Sequence, residues 1–160
     1  MRKYIPLIAL SFIIAVTLVL FIITKKNDDN ETLSHLGLPK QGLLGQPIVV
    51  SKNHWVLVNY WATWCKPCIK EMPALDALHK AHPNVTVIGV NFDHASTHKI
   101  VNFVKRMNVH YPILDQFPAK QLGIEHIKAI PVTFVFGPDG KLKESLYGEQ
   151  TQEQLERYIK

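Results

Sequence analysis

Apolar positions divide the 160-residue chain into two parts. The stretch YIPLIALSFIIAVTLVLFIIT, from Tyr4 to Thr24, contains no charged residue. As a helix it would rise about 31 Å, roughly the thickness of the hydrocarbon core of a bilayer. Beyond it, apolar residues recur with the spacings of strands and helices. The pattern predicts one transmembrane helix within residues 1–26, a linker at 27–35 and one folded domain at 36–160.

A cleaved signal peptide is the main alternative for this apolar run. Signal peptides have a shorter apolar region, followed by a cleavage site with two small residues. Here the run ends in Phe21, Ile22 and Ile23, and Lys25 and Lys26 follow. No cysteine lies directly after the run, which argues against a lipoprotein anchor. The pattern therefore favours an uncleaved signal anchor.

Strand and helix patterns alternate in the folded domain. The run WVLVNYW at Trp55–Trp61 is typical of a buried central strand. After it, apolar residues recur at steps of three, as they do on one face of a helix. The same criteria predict strands at Val85–Phe92, Pro131–Phe136 and Leu142–Tyr147, short strands at Ile48–Val50 and Tyr111–Leu114, a helical turn at Pro118–Leu122, and helices at Lys66–His82, Thr97–Met107 and Thr151–Ile159. This order predicts an α/β fold whose mixed sheet carries helices on both faces.

The net charge of +5 is mostly a property of the predicted anchor. Without Arg2, Lys3, Lys25 and Lys26, 14 of the 18 Lys and Arg remain against 13 Asp and Glu, a net charge of +1. The folded domain has no dense tract of Lys and Arg with interleaved aromatic residues, which is the pattern typical of nucleic-acid binding. Composition therefore argues against a nucleic-acid partner.

Both cysteines of the chain lie in NYWATWCKPCIKEMP, residues 59–73. Cys65 precedes the predicted helix, whose N-terminal N–H groups and dipole favour a thiolate. Lys66 adds a positive charge, and Pro67 suits the first helical turn. Cys68 follows one turn later, so the two sulfurs are placed to form a short disulfide. Such a pair can exchange with a disulfide of another protein.

Three other roles for the cysteine pair compete with redox exchange. A purely structural disulfide in so short a loop would restrict the unfolded chain little. Cys65, Cys68, His79 and His82 have the order of a zinc site, but on one helix His79 would lie about 16 Å from Cys68. Zinc ligands lie within about 2 Å of the metal, which argues against such a site. Two inert buried thiols do not suit an exposed junction between strand and helix.

Three stretches resemble one known family: WATWCKPCIKEMP, VTVIGVNFD and AIPVTFVFGPDGKL. They are similar to the membrane-anchored thioredoxin-like thiol-disulfide oxidoreductases of the TlpA/ResA/CcmG (DsbE) type, which are associated with bacterial cytochrome c maturation. The resemblance covers residues 36–160, and the predicted anchor also fits. It implies a thioredoxin-like fold, with an extra segment between Asn91 and Ile130 that shapes the partner surface.

The resemblance also implies roles for single residues. Cys65 corresponds to the attacking cysteine and Cys68 to the buried resolving cysteine of a redox-active Cys65–Cys68 disulfide. Pro131 matches a cis proline that faces the disulfide, although position alone would favour a trans proline at the start of a strand. Ile130 would then offer backbone groups to an extended substrate peptide. Trp64 would flank the disulfide as an apolar contact.

Two positions near the cysteines bear on which residue could take up the proton of the resolving thiol. Ordinary thioredoxins have a buried aspartate on the strand before the motif, whereas this chain has Asn59, which cannot take a proton. Glu71 matches the acidic residue that ResA-like members place after the motif, one turn past Cys68. It is therefore a candidate catalytic residue that accepts or relays the proton of the resolving thiol. The alternative is an exposed helix glutamate paired with a lysine.

The cysteine pair and the resemblance together predict a thiol-disulfide oxidoreductase on the outer side of the bacterial cytoplasmic membrane, with no metal and no other cofactor. The expected partners are protein disulfides, apocytochrome c among them, and a membrane thiol protein that donates electrons. An oxidant or isomerase of extracytoplasmic protein folding is one alternative. Cu(I) binding by the two cysteines and a histidine is another, although copper-handling proteins of this fold usually space their cysteines as CxxxC.

Overall fold

The computed structural model describes residues 14–19, 36–51, 53–117 and 119–159. The predicted linker at 27–35 lies outside these ranges. So does the predicted anchor at Tyr4–Thr24, except for residues 14–19, which are helical and exposed. Within the described part of the chain, no helix is both long and apolar enough to span a bilayer. The anchor and the domain boundaries therefore stay predictions.

Five strands and three α-helices form the folded domain in the described residues, in nearly the predicted order. The strands are β1 (Trp55–Trp61), β2 (Val85–Asn91), β3 (Ile113–Leu114), β4 (Val132–Phe136) and β5 (Leu142–Tyr147). The helices are α1 (Lys66–Ala81), α2 (Thr97–Arg106) and α3 (Gln152–Glu156), and a 3₁₀ helix spans Ala119–Leu122.

The strands form one mixed sheet in the order β3–β2–β1–β4–β5. The central strand β1 runs parallel to β2, with Trp61 beside Asn91. It runs antiparallel to β4, with Tyr60 opposite Val132. Every residue of β1 after Trp55 is buried, because both faces of a central strand are covered. The carboxyl end of β1 and the start of β4 therefore lie side by side, at the edge of the sheet where these strand ends meet.

All three α-helices contribute to one apolar cluster, on the same face of the sheet as Leu57 and Val87. The strand order explains this arrangement. The crossovers β1–α1–β2 and β2–α2–β3 both join parallel strands and advance in the same direction. Since such crossovers are right-handed, both helices lie on one face. The expectation of helices on both faces is therefore wrong for the α-helices of the described residues.

The opposite face is covered by loops and by the 3₁₀ helix. Leu36 of the lead-in and Leu122 of the 3₁₀ helix pack there against the strands. Ile48 and Val50, predicted to lie in a short strand, form no strand and pack against this cluster from a loop. Among the described residues of this region, pairing is confined to one isolated antiparallel bridge between Gln41 and Pro47, beside which the Ile48 N–H donates to the carbonyl of Lys40.

Candidate active site

The two cysteines lie where the central strand passes into α1. Cys65 is the N-cap residue of α1, and its Sγ accepts a hydrogen bond from the Cys68 N–H at 3.3 Å. Cys65 and Cys68 form a disulfide, with their Cα atoms 5.3 Å apart. Pro67 lies in the first turn, where a missing N–H leaves no helical bond unmade. Strand, turn and helix start together fix the disulfide at the carboxyl end of β1.

The cysteines are more buried than an exposed helix start would leave them. Cys65 is 5% exposed and Cys68 is 0% exposed, because both belong to the apolar cluster under the helices. The expectation of an exposed Cys65 is therefore wrong in degree, although Cys65 is the more accessible of the two. Trp64, directly before the pair, is 67% exposed. The indole is thus the prominent apolar group beside a nearly covered disulfide.

Asp93, just after β2, anchors the loop that leads to the disulfide. Its Oδ2 accepts hydrogen bonds from the Thr63 N–H at 3.3 Å and from Thr63 Oγ1 at 3.0 Å. Burial favours the neutral acid, but hydrogen bonds from Asn91, Thr63 and Ala95 outweigh burial and hold the pKa of Asp93 below its usual value. Asp93 is therefore ionised at neutral pH and ties the end of β2 to the loop.

The loop before β4 lies at the same edge of the sheet. The Ile130–Pro131 peptide bond is cis, as the resemblance implies. Val132 pairs with Tyr60 near the end of β1, so Pro131 lies beside the strand that leads to the disulfide. The Pro131 carbonyl accepts a hydrogen bond from the Gly148 N–H at 2.9 Å. Ile130 is half-buried, and its backbone N–H and C=O bond to no other described residue.

Glu71 is a buried residue at the centre of a polar network. It is 1% exposed, and its Oε1 accepts a hydrogen bond from Nδ2 of Asn59 at 2.7 Å. Its Oε2 accepts one from the backbone N–H of Gln150 at 3.1 Å. Asn59 Nδ2 also donates to Oγ1 of Thr133 on β4 at 3.0 Å. The alternative of an exposed glutamate paired with a lysine is therefore wrong.

These surroundings raise the pKa of Glu71 to about 7. Burial is the largest cause, because the carboxylate loses its hydration there. Hydrogen bonds from Asn59 and Gln150 oppose the shift by favouring the charged form, and the nearby charge of Glu149 adds to it. A carboxyl with a pKa near neutrality is suited to take up and release a proton. It lies one helical turn beyond Cys68 on the same helix.

Three residues of this site were not predicted from the sequence. Asp93 ends the stretch VTVIGVNFD, and its place after the strand parallel to β1 was an available signal. Thr133 lies opposite Asn59 in the β1–β4 pairing, which requires the strand order to be known. Gln150 acts through its backbone N–H, so its side-chain identity carries no signal.

A cavity of about 450 Å³ lies in the extra segment between β2 and β4. Residues from the end of β2, the 3₁₀ helix and the loops around them line it, among them Asn91, Phe92, Phe117, Lys120 and His126. Because Asn91 is paired with Trp61, the cavity lies at the edge of the sheet that carries the disulfide. Tyr60 and Phe117, which line it, belong to the cluster on the face opposite that of the cysteines, so the expectation that the extra segment shapes the partner surface stays a prediction.

The zinc alternative is not assembled in the structure. The cysteines are bonded to each other at the start of α1, whereas His82 caps its other end. His79 Nδ1 accepts from the Val87 N–H at 3.4 Å, and His82 Nε2 lies 3.3 Å from Glu156 Oε1. In the described ranges, no group of three or more His, Cys, Asp or Glu side chains could hold a metal ion.

The mixed sheet, with a disulfide at the start of α1 and a cis proline at the neighbouring strand, defines a thioredoxin-like protein. Within that class the chain belongs to the AhpC/TSA family, whose model matches residues 45–145.

Relatives and solved structures agree with this assignment. The thiol-disulfide oxidoreductase ResA of Bacillus cereus (strain ZK / E33L) is 36% identical over 110 residues, which cover 68% of this chain and 63% of that protein. The thioredoxin-like protein YneN of Bacillus subtilis is 32% identical over 113 residues, covering 68% and 65%. The crystal structure of StoA from Bacillus subtilis superposes with a TM-score of 0.64 at 27% identity, covering 77% of this chain and 96% of StoA. The chain therefore spans slightly less than two thirds of the length of these two relatives.

Proposed function

We propose that this chain is a protein thiol-disulfide oxidoreductase that exchanges electrons through Cys65 and Cys68. The observation that carries the proposal is the disulfide at the N-cap of α1, with a buried carboxyl of near-neutral pKa one turn further on. An unpaired helix N-terminus stabilises the thiolate that attacks. The name of the ResA relative supports the same activity.

The reaction in the reducing direction begins with the reduced cysteine pair. The Cys65 thiolate attacks one sulfur of a partner's disulfide, and the electron pair of the broken S–S bond leaves on the partner's other sulfur, which takes a proton. Cys68 then loses its proton and attacks Cys65 Sγ in the mixed disulfide. That step forms the Cys65–Cys68 disulfide and releases the partner's second thiol. The partner gains two electrons and two protons, which this chain gives up.

Glu71 serves the resolving step in this proposal. Cys68 is fully buried, so the acceptor of its proton has to lie within the protein rather than in bulk water. The Glu71 carboxylate lies one turn away on the same helix, and its pKa of about 7 allows proton uptake and release near neutral pH. Glu71 is thus assigned as the general base in resolution and as the general acid in the reverse step.

Three neighbouring residues form the proposed contact with the partner. Trp64 offers an exposed apolar surface directly before the disulfide. Ile130 has backbone groups that bond to no described residue, so an extended peptide can pair with them. Pro131 places this loop at the start of β4, beside the end of β1. Together they assign an extended protein segment, rather than a small molecule, as the substrate.

The proposed location is outside the bacterial cytoplasmic membrane, with residues 1–26 as the anchor, 27–35 as the linker and 36–160 as the catalytic domain. The uncharged run from Tyr4 to Thr24 supports the anchor. Protein disulfides form and persist in that compartment. The resemblance to proteins of cytochrome c maturation favours apocytochrome c as the substrate, with a membrane thiol protein as the electron donor.

Trapping of mixed disulfides tests the proposed activity. Full-length Cys68→Ser keeps the attacking thiol and loses the resolving one, so covalent complexes should accumulate in cells quenched with acid and separated on non-reducing gels. Cys65→Ser is the matched control and should trap little, because the remaining thiol is the fully buried one. Adducts of Cys65→Ser alone would reverse the two roles. Adducts of neither variant would contradict exchange and favour a structural or metal-binding pair.

The trapped proteins and the redox potential separate the remaining alternatives. Captured proteins with a CxxCH motif support the cytochrome substrate, whereas a broad set of secreted proteins supports a folding role. A midpoint potential near thioredoxin's value of about −270 mV indicates a reductase, and one near about −120 mV indicates an oxidant. Tight Cu(I) binding that is lost in both cysteine variants would favour copper handling.

A further inference from the structure

The hydrogen bonds around Glu71 suit only its ionised form. Oε1 faces the Asn59 Nδ2–H at 2.7 Å, and Oε2 faces the Gln150 N–H at 3.1 Å. A proton added to either oxygen on that side would meet a donor. Neither of these two hydrogen-bond partners presents an acceptor to it, and a buried O–H without an acceptor is costly. Protonation of Glu71 therefore requires the network to change.

Asn59 is the partner that is chemically able to make this change. The backbone N–H of Gln150 can only donate, whereas a side-chain amide carries a donor nitrogen and an acceptor oxygen on one plane. Half a turn about the Cβ–Cγ bond exchanges the two atoms with little change of shape. The Asn59 Oδ1 is buried and has no hydrogen-bond partner among the described residues. The acceptor that a protonated Glu71 needs is therefore present and unused.

We propose that Asn59 is a positioning residue that turns its side-chain amide over when Glu71 takes up a proton. In the turned orientation Oδ1 occupies the place of Nδ2 and accepts from the Glu71 Oε1–H and from the Thr133 hydroxyl. The hydroxyl, which accepts from Nδ2 at 3.0 Å, becomes a donor by rotating its O–H. Each orientation makes two hydrogen bonds and leaves one amide atom unpaired. This inference rests on the proposed proton-carrying role of Glu71. It identifies the residues that allow Glu71 both to take up and to release the proton.

The charged and titratable groups near Glu71 do not account for its change between the ionised and the protonated form. Glu149, in the loop before α3, is exposed and lies 3.8 Å from the exposed Lys70. Tyr111, before β3, is fully buried, and burial together with the carboxylates of Glu71 and Asp76 raises its pKa, so it stays neutral. Among the described residues no cation pairs with Glu71. The neutral network of Asn59, Thr133 and Gln150 therefore decides how Glu71 changes its charge.

A titration of the oxidised protein by NMR tests the proposal without measuring activity. The full-length chain in detergent, with labelled Asn side-chain nitrogen and Glu carboxyl carbon, is taken from about pH 9 to about pH 4. The Asn59 NH₂ signals should shift with the same midpoint as the Glu71 carboxyl carbon. Their nuclear Overhauser contacts with Thr133 should weaken as the pH falls, because Nδ2 moves away.

Two outcomes of this titration overturn the proposal and separate it from the proposed function. If Glu71 titrates while the Asn59 contacts to Thr133 stay unchanged, the amide does not turn, although Glu71 keeps a pKa suited to its proton role. If Glu71 does not titrate between about pH 5 and about pH 9, the amide has no proton to follow and the proton-carrying role fails as well.

Asn59→Leu and Thr133→Val are variants of similar shape that test the same network. Leucine cannot donate to the carboxylate, so the pKa of Glu71 should rise by about one unit, since hydrogen bonds to charged groups are stronger than those to neutral ones. Thr133→Val leaves one N–H of the Asn59 amide unpaired when Glu71 is ionised. It should therefore raise the pKa of Glu71 by less than Asn59→Leu does. A merely structural role for Asn59 and Thr133 would leave the Glu71 midpoint unchanged in both variants, and that result overturns the proposal. If Asn59→Leu does not fold, Thr133→Val and the wild-type titration decide.

Discussion

Helix α1 carries two largely buried carboxylates, and their surroundings shift their pKa values in opposite directions. Glu71 is 1% exposed and its pKa is raised to about 7, whereas Asp76 is 9% exposed and its pKa is lowered. Burial is the largest single influence on both, and in both it favours the neutral acid. The difference therefore comes from the deeper burial of Glu71 and from the partners of the two carboxylates. Those of Glu71 are neutral, while Lys80 lies 2.7 Å from Asp76 Oδ2.

Asp76 gains two further contacts from the segment before β3. Its Oδ1 accepts the His110 N–H at 2.7 Å, and His110 Nδ1 lies 3.1 Å from Oδ2. With Lys80, these contacts outweigh burial and keep Asp76 ionised, so it ties α1 to that segment as a fixed charge. The comparison teaches that the charge of the partners, together with depth of burial, separates a structural carboxylate from one that can exchange a proton.

The largest expected effect concerns how stability depends on pH. Because the folded pKa of Glu71 is raised from 4.5 to about 7, the folded state keeps a proton that the unfolded state releases in this window. Its contribution is fully present below about pH 4.5 and is lost as the pH rises through 7, a loss of about 3 kcal/mol in the free energy of unfolding. Glu71→Gln cannot ionise, so it should have a near-native Tm at about pH 5 and lack this fall.

Denaturant unfolding of wild type and Glu71→Gln at a series of pH values measures this effect. The difference in free energy of unfolding between them should grow steadily in favour of the variant as the pH rises from about 5 to about 8. A difference that is constant across this range would show that Glu71 is not protonated in the folded state, and the contrast with Asp76 would disappear.

A smaller effect of opposite sign is expected for Asp76→Asn. The variant should lose about 1–2 kcal/mol of stability at pH 7, because Lys80 and His110 lose an ionised partner. The lowered pKa of Asp76 means that its contribution is present above its unfolded value of 3.8 and is lost as the pH falls through the folded pKa. Thermal unfolding at neutral and acidic pH measures both parts.

A surface pair provides the control for Asp76. Lys143 and Asp139 lie 2.7 Å apart at i and i+4 spacing, with both side chains exposed. Asp139→Asn should therefore cost less than Asp76→Asn, since exposed ion pairs contribute little. If Asp139→Asn costs as much stability as Asp76→Asn, the partners of Asp76 do not outweigh its burial.

The smallest expected effect tests the nearby charge of Glu149, which contributes to the raised pKa of Glu71. Glu149→Gln removes a nearby negative charge and should lower the pKa of Glu71 by a few tenths of a unit. The carboxyl-carbon signal of Glu71 measures the change, and added salt should reduce the difference between wild type and variant because Glu149 is exposed. An increase in the Glu71 pKa would mean that Glu149 acts by positioning the loop rather than through its charge.

Local spacing accounts for the features that the sequence predicted correctly. The run WVLVNYW is β1 with the predicted bounds, and the steps of three after it belong to α1. The helix predicted at Thr151–Ile159 is α3, which is shorter and begins after Thr151 as its N-cap. The cis bond at Pro131 followed from the family resemblance, since position alone favoured trans. Each of these features depends on a few consecutive residues or on a motif.

The features that were missed depend on contacts between distant segments. Asn59 and Thr133 are 74 residues apart, and Glu71 and Gln150 are 79 apart, so no local pattern shows that Glu71 is buried among neutral partners. The face on which α2 packs depends on the strand order, which local periodicity does not give. The burial of Cys65 has the same origin, because the apolar cluster that covers it draws on all three helices.

The most direct test of the central claim is the pH dependence of the rate at which the reduced full-length chain resolves a mixed disulfide with a protein substrate. If Glu71 accepts the proton of Cys68, the wild-type rate should show an inflection near the Glu71 pKa of about 7. That inflection should be absent in Glu71→Gln and present in Asp76→Asn, whose carboxylate is fixed by Lys80 and His110. An unchanged profile in Glu71→Gln would contradict the proton-carrying role, because the buried carboxyl would then be a structural group like Asp76.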